Sequence, residues 1–320
     1  MAICNTQLAR VAAFNTSRTF KVLPIAHCLL LIVFLRMLTF NEQLHHLIEA
    51  ALLEDIGDGD HSTLSAIPAD AKGKAVLKIK QPGTVAGMQV AEAIFRYKEP
   101  TVRFVAFKKD GDQMQVGENA FEIIGTVHTI LQCERLVLNC MQRMSGIATL
   151  TRLYTDRLKG YATRLLDTRK TTPGFRLLEK EAVRIGGGHN HRMGLYDMIM
   201  LKDNHIDYCG SLELAIDRAF TYVQQVKPGL KIEVETRSID DVKRVVAFGK
   251  VDRIMLDNFT PEMLSQALKI INGQFETEAS GGITLDNITT FAKTGVDYVS
   301  VGALIHQAVS LDLSLKAVVI

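Results

Sequence analysis

The sequence predicts an α/β protein in two parts, an N-terminal α/β sandwich followed by an incomplete, irregular α/β barrel of the TIM-like kind. Three observations predict it. The second half repeats short apolar segments, TRLLDT (163–168), DMIMLKD (197–203), KIEVET (231–236), DRIMLD (252–257), TEASGG (277–282) and DYVSVG (297–302), several of them separated by amphipathic stretches such as SLELAIDRAF and TPEMLSQALKII. Strands alternating with helices indicate a parallel sheet. Those segments also carry polar residues or glycine at their carboxyl ends, as the active face of a barrel requires, whereas an open sheet would concentrate its site at one switch point. Finally, only about 145 residues are available, which is short of eight full units.

Taken in order, the chain opens with residues 1–36, which include the apolar run CLLLIVFL (28–35). That run is too short to span a bilayer and no small-x-small cleavage pattern follows it. The functional protein is therefore expected to start at or near Met37, with the preceding residues as an extension. From Met37, Leu44, Leu47, Ile48, Ala51 and Leu52 repeat at helical spacing. Thr39 is placed to cap this helix, with Glu42 as its reciprocal partner. EDIGDGDHST (54–63) reads as an acidic, solvated loop.

Next, AVLKIKQPGTVAG reads as a strand and turn, MQVAEAIFRY as a helix, TVRFVAF as a strand, and ENAFEIIGTVHTIL as a strand running into a helix. From Glu134, apolar residues at three- and four-residue steps predict a long helix interrupted near Gly146. The expected divisions are 37–145 for the sandwich with its linking helix, 146–305 for the barrel, and 306–320 for a C-terminal segment.

Composition narrows the function classes. A net charge of +2 gives little support to nucleic-acid binding. With 47% hydrophobic and 22% charged residues, the chain has the material for a packed core. Cys4, Cys28, Cys133, Cys140 and Cys209 form no CxxC pair, so a reducing, cytoplasmic setting is expected rather than a disulfide scaffold. Small-molecule substrates are expected, with neither nucleic acid nor membrane as a partner.

GGGHNHRMGLYDMIMLKDNH (186–205) holds the densest polar chemistry. The HNH of His189 to His191 superficially matches the HxH of metal-dependent hydrolases on barrels. Those enzymes need further histidines at later strand ends, and downstream of His205 only His306 remains. A nucleophile is no better supported: Cys133 and Cys140 fall on the packed face of the long helix, there is no GxSxG, and Ser280 sits beside glycines better suited to holding an anion. An anion pocket fits more residues. Arg169 and Lys170 directly follow one strand, Lys202 ends another, and Arg192 follows a glycine-rich turn. Guanidinium forks match planar carboxylates, and lysines act as point charges.

Two further sets complete the picture. Glu235 and Asp257 end apolar strands, where carboxylates suit a ribose hydroxyl or Mg²⁺. Glu233 alternates with Glu235, so one of the two is expected to face away from the other, and spacing alone does not choose between them. Ser280, Gly281 and Gly282 after one strand, with Gly302 after the last, offer backbone N–H groups for a phosphate. Together these sets describe a substrate with a phosphate, a ribose or Mg²⁺-diphosphate section, and one or more carboxylates.

EDIGDGDHST, ER with QRMSGIATLT, LLDTRKTTPG, GGGHNHRMGLYDMIMLKDNH, IEVET, IMLDNF and EASGGITLDN, in that order, make the sequence resemble the quinolinate phosphoribosyltransferases, or nicotinate-nucleotide pyrophosphorylases, from about residue 40 to 305. The resemblance implies transfer of phosphoribosyl from phosphoribosyl pyrophosphate to quinolinate with decarboxylation, a step of NAD biosynthesis. It implies Mg²⁺ and no organic cofactor. It also implies a homodimer, or a higher oligomer, in which one subunit completes its neighbour's site. By this resemblance Arg135 reaches the partner's pocket, and Thr168, Arg169, His191 and Arg192 bind quinolinate. Lys170 and Lys202 lie between the two substrates. Glu235, rather than Glu233, joins Asp257 on the ribose and Mg²⁺ side, and Ser280, Gly281, Gly282 and Gly302 hold the 5-phosphate. His189 then becomes a loop residue, and His205 supports the strand end at Lys202.

Overall fold

The computed structural model describes residues 38–318; the expected extension and the start at Met37 lie outside the described residues. Helix α1 (Phe40–Ile56) opens with the expected reciprocal cap: Glu42 N donates to Thr39 Oγ1 at 3.3 Å and Thr39 N to Glu42 Oε2 at 2.8 Å. Its buried residues, Leu44, Ile48 and Leu52, fall on one helical stripe. EDIGDGDHST is not the open loop expected. Helix α1 runs on to Ile56 and α2 (His61–Ala66) follows within five residues, capped by Asp60, which accepts from Thr63 N at 3.1 Å. A short polar side chain before a helix saturates an N–H that would otherwise be orphaned, so an acidic turn becomes a helix start.

The sandwich then comprises β1 (Lys72–Ile79), β2 (Gly83–Thr84), α3 (Met88–Lys98), β3 (Arg103–Ala106), β4 (Gln113–Met114), β5 (Asn119–Thr126) and α4 (Val127–Arg157). β1 and β5 pair antiparallel from Lys72 opposite Thr126 to Lys78 opposite Asn119, and β3 lies beyond β5. One face of this sheet buries Leu77, Ile79, Phe121 and Ile123. Cys133 and Cys140 are buried on α4 among these apolar groups, as expected, and burial pushes both thiols up to about 12.

Helix α4 is continuous for 31 residues and is not broken at Gly146. That glycine answers to packing instead: a Cβ there would collide with the backbone carbonyl of Val309. The missing side chain admits a neighbouring backbone, so the helix keeps its hydrogen bonds at the cost of roughly 1 kcal/mol in propensity.

The barrel follows as β6 (Arg164–Leu166), α5 (Arg176–Ile185), β7 (Ile199–Leu201), α6 (Asp203–Cys209), α7 (Leu212–Gln225), β8 (Ile232–Thr236), α8 (Ile239–Phe248), β9 (Arg253–Asp257), α9 (Pro261–Ile271), β10 (Glu276–Ser280), α10 (Ile288–Ala292), β11 (Tyr298–Ser300) and α11 (Ala303–His306). All six strands sit in one sheet in the order β6-β11-β10-β9-β8-β7, with parallel pairing throughout. β6 and β7 do not pair. An isolated parallel bridge from Leu166 to His189 stands on the free side of β6, so the segment after α5 substitutes for a missing strand. Ser211, Ser238 and Thr260 cap α7, α8 and α9, each accepting an N–H three residues on. Such caps end each connection sharply, so the helices begin close to the strand ends that they follow.

The C-terminal segment is not a separate tail. β12 (Leu313–Val318) returns to the first sheet and pairs antiparallel with β1, Ile79 opposite Leu313 and Lys74 opposite Val318. Residues more than 230 positions apart in sequence are thus neighbours in the sandwich. No helix among the described residues is long and apolar enough to cross a membrane.

Candidate active site

At the carboxyl ends of the barrel strands lies a cavity of about 590 Å³. Its lining includes Thr168, Arg169, Lys170, His191, Arg192, Lys202, Glu235, Asp257 and Ser280, so nine of the thirteen residues singled out from the sequence converge. The polar ends of β6 to β10 meet there because parallel strands in register bring them to one edge: Ser280 pairs with Asp257, and Glu235 with Met255. Met200, Asp203, Arg237, Met255, Glu278 and Ser300 complete the wall.

The other four stand apart from the lining. Arg135 is exposed on α4 and contributes nothing to its own chain's cavity. Gly281 and Gly282 follow Ser280 with φ of +93° and +63°. A Cβ at Gly281 would strike the side chain of Asn258, so both conformation and space demand glycine there. Gly302 backs Lys170, whose Cδ would lie 3.0 Å from a Cβ at that position.

One wall is cationic and short of counter-charge. Burial lowers the Arg192 guanidinium below its ordinary value, and the neighbouring charge of Arg169 lowers it further. Arg192 Nη1 donates to the Met198 carbonyl at 3.2 Å, while the buried Nε of Arg169 has no hydrogen-bond partner. Two guanidiniums held close together, one with an unused donor, favour an anion between them. Lys202 is held by His205, whose Nδ1 accepts the Lys202 N–H at 3.0 Å, the support expected of that histidine. His189 is exposed and enters the fold through its backbone alone, accepting from Asp167 N at 3.1 Å.

The opposite wall is acidic. Glu235 and Glu233 share a face of β8, contrary to the expectation that one faces away, because side chains two residues apart in a strand point the same way. They differ in depth. Glu233 is fully buried, whereas Glu235 reaches the cavity, with Lys202 Nζ 3.7 Å and Arg237 Nη2 3.8 Å from its carboxylate. Burial raises the Glu235 carboxyl above the usual range, and the charge of Asp257 raises it further. Glu235 and Asp257 form an oxygen-only donor set suited to a hard divalent cation such as Mg²⁺.

At the cavity floor lies a cluster the sequence did not reveal. His191 Nε2 is 2.9 Å from Glu233 Oε2 and 3.3 Å from Glu278 Oε2, in contact with both but aligned for a hydrogen bond with neither. Arg253 Nη1 lies 3.1 Å from Glu278 Oε2 and completes the group. Burial pulls the imidazole down, yet the two carboxylates outweigh it and hold His191 at about 9. The Arg192 N–H, 2.6 Å from Nδ1, favours a neutral ring with its proton on Nε2; the two adjacent buried carboxylates pull the other way, toward the protonated ring, and are the stronger influence. His191, Glu233 and Glu278 bring one ligand atom each within 4.8 Å and could coordinate a divalent cation. Arg253 is shared, since its Nη2 also lies 3.0 Å from Glu276 Oε2.

Helix α5 supports both sides of the cationic wall with two adjacent, fully buried charges, Glu179 and Lys180. Glu179 accepts from Thr172 N at 2.8 Å and from Arg143 Nε at 3.0 Å, tying the Arg169–Lys170 loop to α4. Lys180 pairs with Asp167 and donates to the His191 carbonyl at 3.1 Å.

Comparison with known proteins gives matches over most of the chain. A family model described as the quinolinate phosphoribosyl transferase C-terminal domain matches residues 147–316, and its N-terminal domain counterpart matches residues 60–145. The chain is 41% identical to a decarboxylating quinolinate phosphoribosyltransferase of Nicotiana tabacum, over 97% of this chain and 89% of that protein. It is 43% identical to a probable nicotinate-nucleotide pyrophosphorylase of Bacillus subtilis, over 85% of this chain and 93% of that one. Among solved structures, NadC from Streptococcus pyogenes superposes with a TM-score of 0.81 at 42% identity, covering 88% of this chain and 98% of its own.

Proposed function

The chain belongs to the quinolinate phosphoribosyltransferase family, and on that premise we propose that it transfers phosphoribosyl from phosphoribosyl pyrophosphate to quinolinate, yielding nicotinate mononucleotide, diphosphate and CO2. The observation that carries this reading is the pairing of Arg169 and Arg192 across one wall of the cavity, with an unused buried donor. A planar dicarboxylate satisfies that wall, and a single carboxylate leaves part of it unpaired.

Arg169, Arg192 and His191 bind the pyridine dicarboxylate, with Thr168 beside them, and turn the ring nitrogen toward the donor. Ser280, Gly281, Gly282 and Gly302 take the 5-phosphate, and Glu235 and Asp257 take the ribose. As the bond from C1 of the ribose to diphosphate breaks, C1 gains cationic character that the two carboxylates stabilise, while Lys170 and Lys202 balance the departing diphosphate. Glu235 and Asp257 would hold Mg²⁺, which when bound supplies further charge neutralisation to the diphosphate. The pyridine nitrogen bonds to C1 and becomes cationic. The positive charge on that nitrogen stabilises the electron pair left in the ring plane at C2 as the 2-carboxylate departs as CO2, and C2 then takes a proton. No covalent bond to the enzyme is needed; holding two anionic substrates in line is the main requirement.

Arg135, exposed and remote from its own cavity, completes the site of a second subunit in a homodimer. The substrate assignment is tested by comparing turnover of quinolinate and nicotinate with phosphoribosyl pyrophosphate and Mg²⁺. Quinolinate is expected to be used and nicotinate to be a poor substrate. Preference for nicotinate would overturn the assignment.

A further inference from the structure

We infer that the buried Lys180–Asp167 pair is a positioning device that sets His191 and Arg192 in place and thereby determines affinity for the dicarboxylate substrate. Where β6 lacks a neighbour on its free side, the chain after α5 has only one bridge, Leu166 to His189, to hold it. Two residues later this same segment must present two substrate-binding side chains. The backbone there is fixed by side chains rather than by a strand ladder. Asp167 Oδ1 accepts the His191 N–H at 2.8 Å and also pairs with Lys180 Nζ. Lys180 Nζ donates in turn to the His191 carbonyl at 3.1 Å, so both backbone groups of His191 are gripped. With its nitrogen turned inward, the Asn190 amide donates to Asp167 Oδ2 at 2.8 Å and to the Lys180 carbonyl at 2.9 Å.

Neither member of the pair touches the cavity. Lys180 and Asp167 are both fully buried and absent from its lining. An ion pair so deep is a poor source of stability, since desolvating two charges offsets most of their attraction. Its partners indicate what it accomplishes: every hydrogen bond its two side chains make outside the pair ends on Asn190 or His191. The pair acts where a barrel strand would have acted, and it acts on the dicarboxylate side alone. The ribose and phosphate side hangs from β8, β9 and β10, which are held by ordinary parallel pairing.

This inference rests on the reading of the cavity as a quinolinate site, and the test separates the two. Asp167→Leu/Lys180→Met replaces the pair by apolar groups of similar size and removes its grip on His191. The expected result is a folded protein whose KM for quinolinate rises tenfold or more, while kcat falls less than threefold and KM for phosphoribosyl pyrophosphate stays within twofold. Asp167→Asn/Lys180→Met removes the charges but keeps an acceptor for the His191 N–H, and should restore most of the quinolinate affinity. Asn190→Ala alters an exposed residue that leaves folding intact, and should raise the quinolinate KM about threefold without affecting the other substrate. Unchanged quinolinate KM in Asn190→Ala, or in a folded leucine–methionine variant, overturns the inference. So does an equal rise in both KM values, which would mark a general structural role. Wild-type protein that does not turn over quinolinate would instead sink the substrate reading.

Discussion

Titrating His191 should have a measurable effect on stability. Its folded-state pKa of about 9 lies well above the ordinary 6.5, so the stabilisation is fully present below about pH 6.5 and is lost as pH rises through about 9. A rise from 6.5 to about 9 corresponds to about 3–4 kcal/mol, and burial leaves little solvent to screen it. Urea unfolding of wild type and His191→Gln, run in parallel from pH 6 to 10, reads the contribution of the His191 cluster, because titrating groups away from it cancel in the difference. Wild type should lose about 3–4 kcal/mol more than the variant across that range. Parallel pH profiles would refute the argument, showing that the ring is neutral between Glu233 and Glu278.

Three other outcomes follow from separate parts of the molecule. Gly146→Ala should destabilise by about 1–3 kcal/mol in chemical denaturation, because the clash with the Val309 carbonyl exceeds the helix-propensity gain of alanine; a stabilised variant would mean the two segments are not in contact. Asp257→Asn should weaken use of phosphoribosyl pyrophosphate and shift the Mg²⁺ concentration for half-maximal rate upward by tenfold or more, measured by metal titration at fixed substrate. Arg135→Ala and Lys170→Ala should each be inactive alone, yet recover up to a quarter of wild-type activity when subunits are exchanged, since one class of hybrid site is intact; no recovery after verified exchange would place Arg135 in its own subunit's site or in none.

The barrel was legible because each of its strands announces itself twice, by an apolar run and by a polar residue at its carboxyl end. Asp257, Glu235, Lys202 and Ser280 were found on that signal, and all four line the cavity. The buried charges were not legible. Lys180, Glu179 and Arg253 have the composition of solvated surface residues, and only three-dimensional pairing distinguishes the two cases. Glu278 carried a usable signal, since it alternates with Ser280 on the inward face of β10. The same period-two rule places Glu233 directly below Glu235. Gly146 shows the converse limit: propensity marks a weak point in α4, and Val309, more than 160 residues away, explains it. β12 was missed for a related reason, because its partner strand lies at the other end of the chain.

The central claim is that one cavity joins two anions and expels a carboxylate. Quinolinate labelled in its 2-carboxylate, incubated with phosphoribosyl pyrophosphate, Mg²⁺ and this protein, tests it directly by counting released CO2 against nucleotide formed. The account predicts one CO2 and one diphosphate per nicotinate mononucleotide, with no CO2 when the donor is omitted. Nucleotide that retains the labelled carboxylate, or CO2 released without the donor, would contradict it.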